Sequence, residues 1–175
     1  MLRKIVLAVL ALVVVVLGMA AMKPDTFSVT RVVGIEAPPE KIAALITDFP
    51  QWARWSPWEK RDPDMARTFS GAARGNGAVY AWSGNRAVGK GRMEIIDARA
   101  PSRTVIRLDF LQPFEQHSIA EFTLVAQGDS THASWQMTGP MPFASKLMSV
   151  FVSMDKLIGK DFEQGLSNLK SVAEK

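Results

Sequence analysis

The sequence predicts an α+β protein, in which a curved seven-stranded antiparallel sheet is covered on one face by a long C-terminal helix. Three observations carry this. Seven segments between Phe27 and Gly139 read as strands, most with apolar and polar side chains alternating at period two and with turn residues between them. From Leu147 to Val172 apolar residues instead step by three or four, the spacing of a helix. Ahead of both stands an uncharged 18-residue apolar run, Ile5 to Met22.

The elements follow in chain order. As a helix the apolar run spans roughly 27 Å, close to the hydrocarbon thickness of a bilayer. Arg3 and Lys4 precede it, which favours a cytoplasmic N-terminus. A signal peptide needs an apolar region of roughly 7–15 residues and a small-residue cleavage site. Gly18-Met19-Ala20 is a passable site, but the run is long and dense at Val13 to Val16. An uncleaved anchor is therefore the first expectation, a cleaved signal the second, and a buried helix fits least. Either of the first two puts the body outside the cytoplasmic membrane, in the periplasm if the source is bacterial. The expected division is a membrane or signal segment at 1–23 and one domain at 24–175.

Phe27 to Glu36 reads as a strand whose apolar face is interrupted by Arg31. Ala37-Pro38-Pro39-Glu40 stops it and opens a helix, since proline is tolerated in a first helical turn and Glu40 suits the dipole. Ile42, Leu45, Ile46 and Phe49 give that helix its apolar side, and Pro50 ends it. Trp52 to Pro63, rich in Trp, Pro and charge, reads as short helix plus loop. Strand-like segments follow at 66–71, 77–83, 86–98, 102–111, 115–126 and 130–139, with Asn76-Gly77, Gly84-Asn85 and Gly128-Asp129 suited to tight turns. Parity places Tyr80, Trp82, Met93, Ile95, Ile106, Leu108, Phe110, Ala120, Phe122, Leu124, Ala133, Trp135 and Met137 on the inner face. Gly139-Pro140-Met141-Pro142 ends the sheet. A single helix is expected from there to about Glu174, its stripe running Leu147, Phe151, Met154, Ile158, Phe162, Leu166, Leu169 and Val172.

Composition excludes several kinds of chemistry. With no Cys and two His there is no disulfide, thiolate metal site, Cys nucleophile or three-His site. The pI near 9.6 invites a nucleic-acid reading. Three of the 21 bases, however, lie in the leader (Arg3, Lys4, Lys23), and the remainder nearly balance the 17 acids. No nucleic-acid partner is expected. Residues 54–107 are locally basic, with 11 bases against 5 acids, which suits either solvated strand faces or anionic lipid headgroups.

A sheet wrapped around a helix leaves room for a cavity between them. Gly89, Gly91, Ala120 and Ala133 lie among Trp82, Phe110 and Trp135, so small residues either interdigitate with large ones or leave space for an apolar ligand. This order of elements resembles the helix-grip fold of the START and polyketide-cyclase (SRPBCC) superfamily. Ile35-Glu36-Ala37-Pro38-Pro39-Glu40 resembles its strand-end and helix-start signature. Trp52, Trp55, Ser56, Pro57 and Trp58 resemble the tryptophan-rich segment of its bacterial membrane-anchored members, as do Gly75 to Gly84 and Gly159 to Leu166. The likeness covers about residues 26–174. It implies the fold, and a function among lipid carriers, hormone receptors, cyclases and ATPase co-activators, which share one scaffold.

Catalytic candidates are few. His117 and His132 fall on the outer face by parity, and no Gly-x-Ser-x-Gly elbow is present. Asp62 and Asp64 lack a supporting metal-ligand cluster. Arg31, if inward, would orient an anionic ligand. No catalytic residue, metal or cofactor is therefore assigned. The expected function is non-catalytic binding or transport of a hydrophobic small molecule or lipid. The expected lining is Tyr80, Trp82, Met93, Phe110, Phe122, Trp135 and Met137, closed by Phe151 and Ile158. Trp52, Trp55 and Trp58 either plug one end of the grip as core residues or act as lid or portal, gating ligand entry or resting in the membrane interface; lid or portal is the expected role. The membrane is the second expected partner, through residues 5–22. The alternatives are a cyclase/dehydratase-like enzyme, which needs a buried acid or base in the cavity, and a protein-interaction module, which needs a filled core and an exposed apolar patch.

Overall fold

The computed structural model describes all 175 residues. Helix α1 (Leu2–Ala21) leads into strand β1 (Thr26–Ile35) and helix α2 (Pro39–Thr47). Two 3-10 turns follow, Phe49–Arg54 and Pro57–Lys60. Strands β2 (Ala66–Gly71), β3 (Ala78–Ser83), β4 (Lys90–Arg99), β5 (Arg103–Gln112), β6 (Gln116–Gln127) and β7 (Ser130–Pro140) form a meander, and helices α3 (Phe143–Ser149) and α4 (Met154–Ala173) close the chain. All seven strands share one antiparallel sheet in the order β1-β7-β6-β5-β4-β3-β2. This is the expected α+β helix-grip architecture behind an apolar N-terminal helix.

Local chemistry sets the boundaries. Pro39 occupies the first turn of α2, where its missing N–H costs nothing. At the other end of α2, the indole N–H groups of Trp52 and Trp55 donate to the carbonyls of Ile46 (2.9 Å) and Leu45 (3.1 Å). Carbonyls left over by the helix are thereby satisfied. In the β6–β7 hairpin Gly128 has φ +59°, a conformation that other residues rarely adopt.

Parity sorts the sheet as expected. The inner face buries Ile95, Ile106, Phe122, Ala133 and Trp135 under α4, whose Phe162, Leu166 and Leu169 are also buried. The outer face carries ion pairs. Arg103 meets Glu121 through two bonds of 2.8 Å and Asp97 at 2.8 Å, while Arg92 (2.7 Å) and Arg107 (2.6 Å) both reach Glu94. With Arg99, 3.2 Å from Asp97, four bases of the basic segment 54–107 are spent there. His117 lies exposed on the same face, its Nδ1 2.7 Å from Asp109, and His132 is exposed as well.

The expected single C-terminal helix is two helices. The chain breaks at Val150–Ser153, where the Ser153 hydroxyl accepts the Lys156 N–H at 3.3 Å and starts α4. Leu147, Phe151, Met154 and Ile158 keep helical spacing across the break, so the stripe does not reveal it. The β-branched Val150 and Val152 beside Phe151 lower helix propensity there, and the N-cap completes the stop. Strand β4 also starts later than expected, because Asn85 to Gly89 form a loop.

Helix α1 runs alongside α3 and buries only Ala20. It is long and apolar enough to cross a membrane, whether as anchor or as signal sequence.

Candidate functional site

Between the inner face and α4 lies a chamber of about 280 Å³, slightly below the roughly 300 Å³ at which ligand pockets usually begin. Its floor is Tyr80 and Trp82 of β3, Met93 of β4, Ile106, Leu108 and Phe110 of β5, Ala120 of β6, and Trp135 and Met137 of β7. Ile158 and Phe162 of α4 form the roof, and Trp58, Glu59 and the loop Arg86–Gly89 complete the walls. A second hollow of about 210 Å³ adjoins it, sharing Phe110, Gln112, Pro113, Met137 and Ile158. Together they give an elongated space that reaches Phe114, Phe27 and Met154.

The structure brings together seven of the nine expected lining residues: Tyr80, Trp82, Met93, Phe110, Trp135, Met137 and Ile158. Phe122 is not among them. It faces inward but is fully buried behind the chamber, stacked on Trp135 at 4.8 Å between ring centroids. Phe151 is not among them either. It sits in the α3–α4 break and is 72% exposed, because the missing helical turn points it away from the sheet.

The tryptophan segment is corrected in the same way. Trp55 is fully buried and Trp52 nearly so, packed edge-on against Phe122 and Trp135. They take the core alternative, plugging one end of the grip, and do not form a lid. Trp52 reaches the chamber wall, and the half-buried Trp58 forms part of it, edge-on to Trp135 at 5.8 Å and to Phe162 at 6.3 Å.

The small residues divide between the two roles open to them. A Cβ on Gly91 would overlap the Trp82 ring, so that gap is filled by interdigitation. Ala133 is buried away from the space, whereas Ala120 and Gly89 line it. Gly165 lets α4 close on the sheet, since a Cβ there would lie 2.8 Å from Trp135 Cζ3. Its neighbour Phe162 then stacks flat on Trp135, centroids 4.2 Å apart.

Arg31 points toward α4 and not into the chamber. It lies at the edge strand, where its guanidinium bonds Glu163 at 2.6 Å and Asp155 at 2.8 Å and fills the space opposite Gly159. Those two carboxylates raise its pKa, and the Asp155 carboxyl is lowered in return.

One polar cluster faces the apolar chamber, and strand parity does not find it. Glu59, with its side chain only 8% exposed, accepts from the Tyr80 hydroxyl at 2.6 Å and from Arg67 Nε at 2.7 Å. Arg67 is held in turn by the Met65 carbonyl at 2.6 Å and the Pro63 carbonyl at 3.2 Å. Burial, then the Glu59 contact, pushes the Tyr80 phenol above its usual range, so it stays a neutral donor. The Arg67 guanidinium is raised chiefly by Glu59. Glu59 lies in a 3-10 turn, outside any period that assigns faces; its place beside Trp58 is the only sequence signal for it. Trp135 lines the same chamber, and its indole N–H is buried without a protein partner.

The comparisons with known proteins agree with this architecture. No curated protein matches the chain. Among solved structures, a protein from Chromobacterium violaceum superposes with a TM-score of 0.58 at 17% identity, over 87% of this chain and 99% of that one. A Helicobacter pylori protein gives 0.63 at 9% identity, over 84% and 88%. The di-domain ARO/CYC protein BexL of the BE-7585A biosynthetic pathway gives 0.60 at 17% identity, over 90% of this chain and 53% of BexL. At these identities the likeness is one of fold. A family model, polyketide cyclase / dehydrase and lipid transport, matches residues 26–174. The chain therefore belongs to the polyketide cyclase/dehydrase and lipid transport family.

Proposed function

We propose that the protein binds or carries a hydrophobic small molecule or lipid in the chamber between sheet and α4, without transforming it. The observation that carries this reading is the chamber itself, in which apolar and aromatic side chains from five strands and α4 converge on one space. Burial of apolar ligand surface supplies the affinity, at about 25 cal/mol per Å² removed from water.

Residues 1–23 act as an uncleaved anchor and residues 24–175 as the binding domain, held at the outer side of the cytoplasmic membrane. Support comes from the apolar surface of α1 and its packing along α3. Phe143 and Met148 of α3, with Phe151 and Val152 just beyond, continue that apolar surface onto the body. In this reading they take the place at the lipid interface first expected of Trp52, Trp55 and Trp58.

The test is native mass spectrometry of the full chain released from lipid nanodiscs. An apolar adduct on the wild type, lost in the chamber-filling Ala120→Leu variant with unfolding temperature retained, supports binding. A wild type with no adduct from lipid-rich preparations would sink it. One observation favours a second reading, a cyclase/dehydratase-like enzyme: Glu59 is a carboxylate inside the chamber. Chemical change of a bound ligand, abolished by Glu59→Gln, would establish that reading instead.

A further inference from the structure

Four polar residues, Ser56, Glu59, Arg86 and Gln112, line the otherwise apolar chamber; of the two charged ones Arg86 is on the exposed loop, and Glu59 is the one turned inward. Glu59 uses one oxygen to accept from Tyr80 and the other to accept from Arg67. A carboxylate offers about four acceptor sites, so accepting capacity remains on both oxygens. Arg67 already balances its charge, so a second cation gains little there. A ligand anion would be brought beside a buried carboxylate and repelled. What fits is a neutral donor. The Trp135 indole N–H, unpartnered but closed off among Phe122, Phe162 and the other tryptophans, is not exposed to the chamber, so Glu59 is the group a ligand meets. A hydroxyl supplies that donor.

We propose that the chamber selects ligands bearing a neutral hydroxyl, alcoholic or phenolic, that donates to Glu59, with the rest of the ligand in the apolar space. Tyr80 and Arg67 are positioning residues that fix the carboxylate. This rests on the binding reading above and deepens it. A buried acceptor discriminates strongly, because a ligand lacking the hydroxyl leaves the polar groups it has desolvated unpaired.

The experiment measures 4-fluorophenol, fluorobenzene and 4-fluorobenzoate by 19F NMR on the full chain in nanodiscs, with partitioning into empty nanodiscs subtracted. The expected order is 4-fluorophenol about tenfold tighter than fluorobenzene, with 4-fluorobenzoate weakest. Glu59→Gln, checked for a retained unfolding temperature, should bring the phenol-to-benzene ratio within about threefold. Tyr80→Phe removes one of the two bonds that fix the carboxylate and should lower the ratio by less than Glu59→Gln does. Equal binding of phenol and benzene by the wild type, or a ratio untouched by Glu59→Gln, would overturn the hydroxyl anchor while leaving apolar binding in place. If neither neutral probe binds, the chamber is not a binding site and both readings fall.

Discussion

The two ends of the sheet–helix interface use the same kinds of residue and reach opposite results. At the closed end Trp52, Trp55, Phe122, Trp135 and Phe162 fill the space, with centroid distances of 4.2 to 6.4 Å and indole N–H groups of Trp52 and Trp55 spent on α2 carbonyls. At the open end Phe110, Met137 and Ile158 surround a hollow. Hydrophobicity does not separate them, since both ends are apolar. Backbone approach does. Gly165 lets α4 come down on Trp135, whereas at Gly159 the space goes to the Arg31 guanidinium and the helix begins only at Met154. The grip is solid at one end and hollow at the other, with Trp52, Trp135 and Phe162 forming the boundary between the two.

That separation can be broken experimentally. The largest effect is expected for Trp55→Ala at the closed end, a loss of about 3–5 kcal/mol in urea unfolding, as for other buried aromatic truncations. Gly165→Ala should follow at about 1–3 kcal/mol, because the new Cβ meets the Trp135 ring. Phe110→Ala, at the rim of the existing hollow, should cost less than about 1.5 kcal/mol, since the residue is already only half-buried and little new cavity forms. If Phe110→Ala costs as much as Trp55→Ala, the two ends are not distinct and the comparison fails.

The smallest effect belongs to the outer face. Arg103 holds the Glu121 carboxyl below its ordinary value of 4.5. Its contribution is present above that pH and is lost as pH falls through the lowered value. Glu121→Gln should cost under about 1 kcal/mol at neutral pH and flatten the acid limb of a stability–pH profile. The cost should shrink further in high salt.

Much of this was legible in the sequence, and the reason is geometric. In a strand, side-chain direction follows from position, so period two placed Tyr80, Trp82, Met93, Phe110, Trp135 and Met137 on the inner face without knowledge of the fold. Parity says which face, however, and not how deep. Phe122 shares its face with the lining residues but lies behind them, because depth depends on what α4 and the tryptophan turns bring over it. The α3–α4 break was hidden because three- and four-residue steps continue through it. Glu59 was hidden for the opposite reason, having no period at all. Among the lid residues, Trp55 ends in the core because its indole N–H finds the Leu45 carbonyl there, a partner that spacing alone does not identify.

The seam between α4 and β1 has one further consequence. An edge strand presents unpaired carbonyl and N–H groups to any passing chain. Here Lys170 donates to the Gly34 carbonyl at 2.6 Å, Arg31 to the Thr30 carbonyl at 2.9 Å, and Glu174 receives the Glu36 N–H at 2.7 Å. The first margin of the sheet is thus occupied by the chain's own side chains. The opposite margin, β2, is short, mostly exposed and ends at Gly71. A neighbouring chain that meets the β1 margin finds several of its polar groups already taken, which leaves the six-residue β2 margin as the open edge of the sheet.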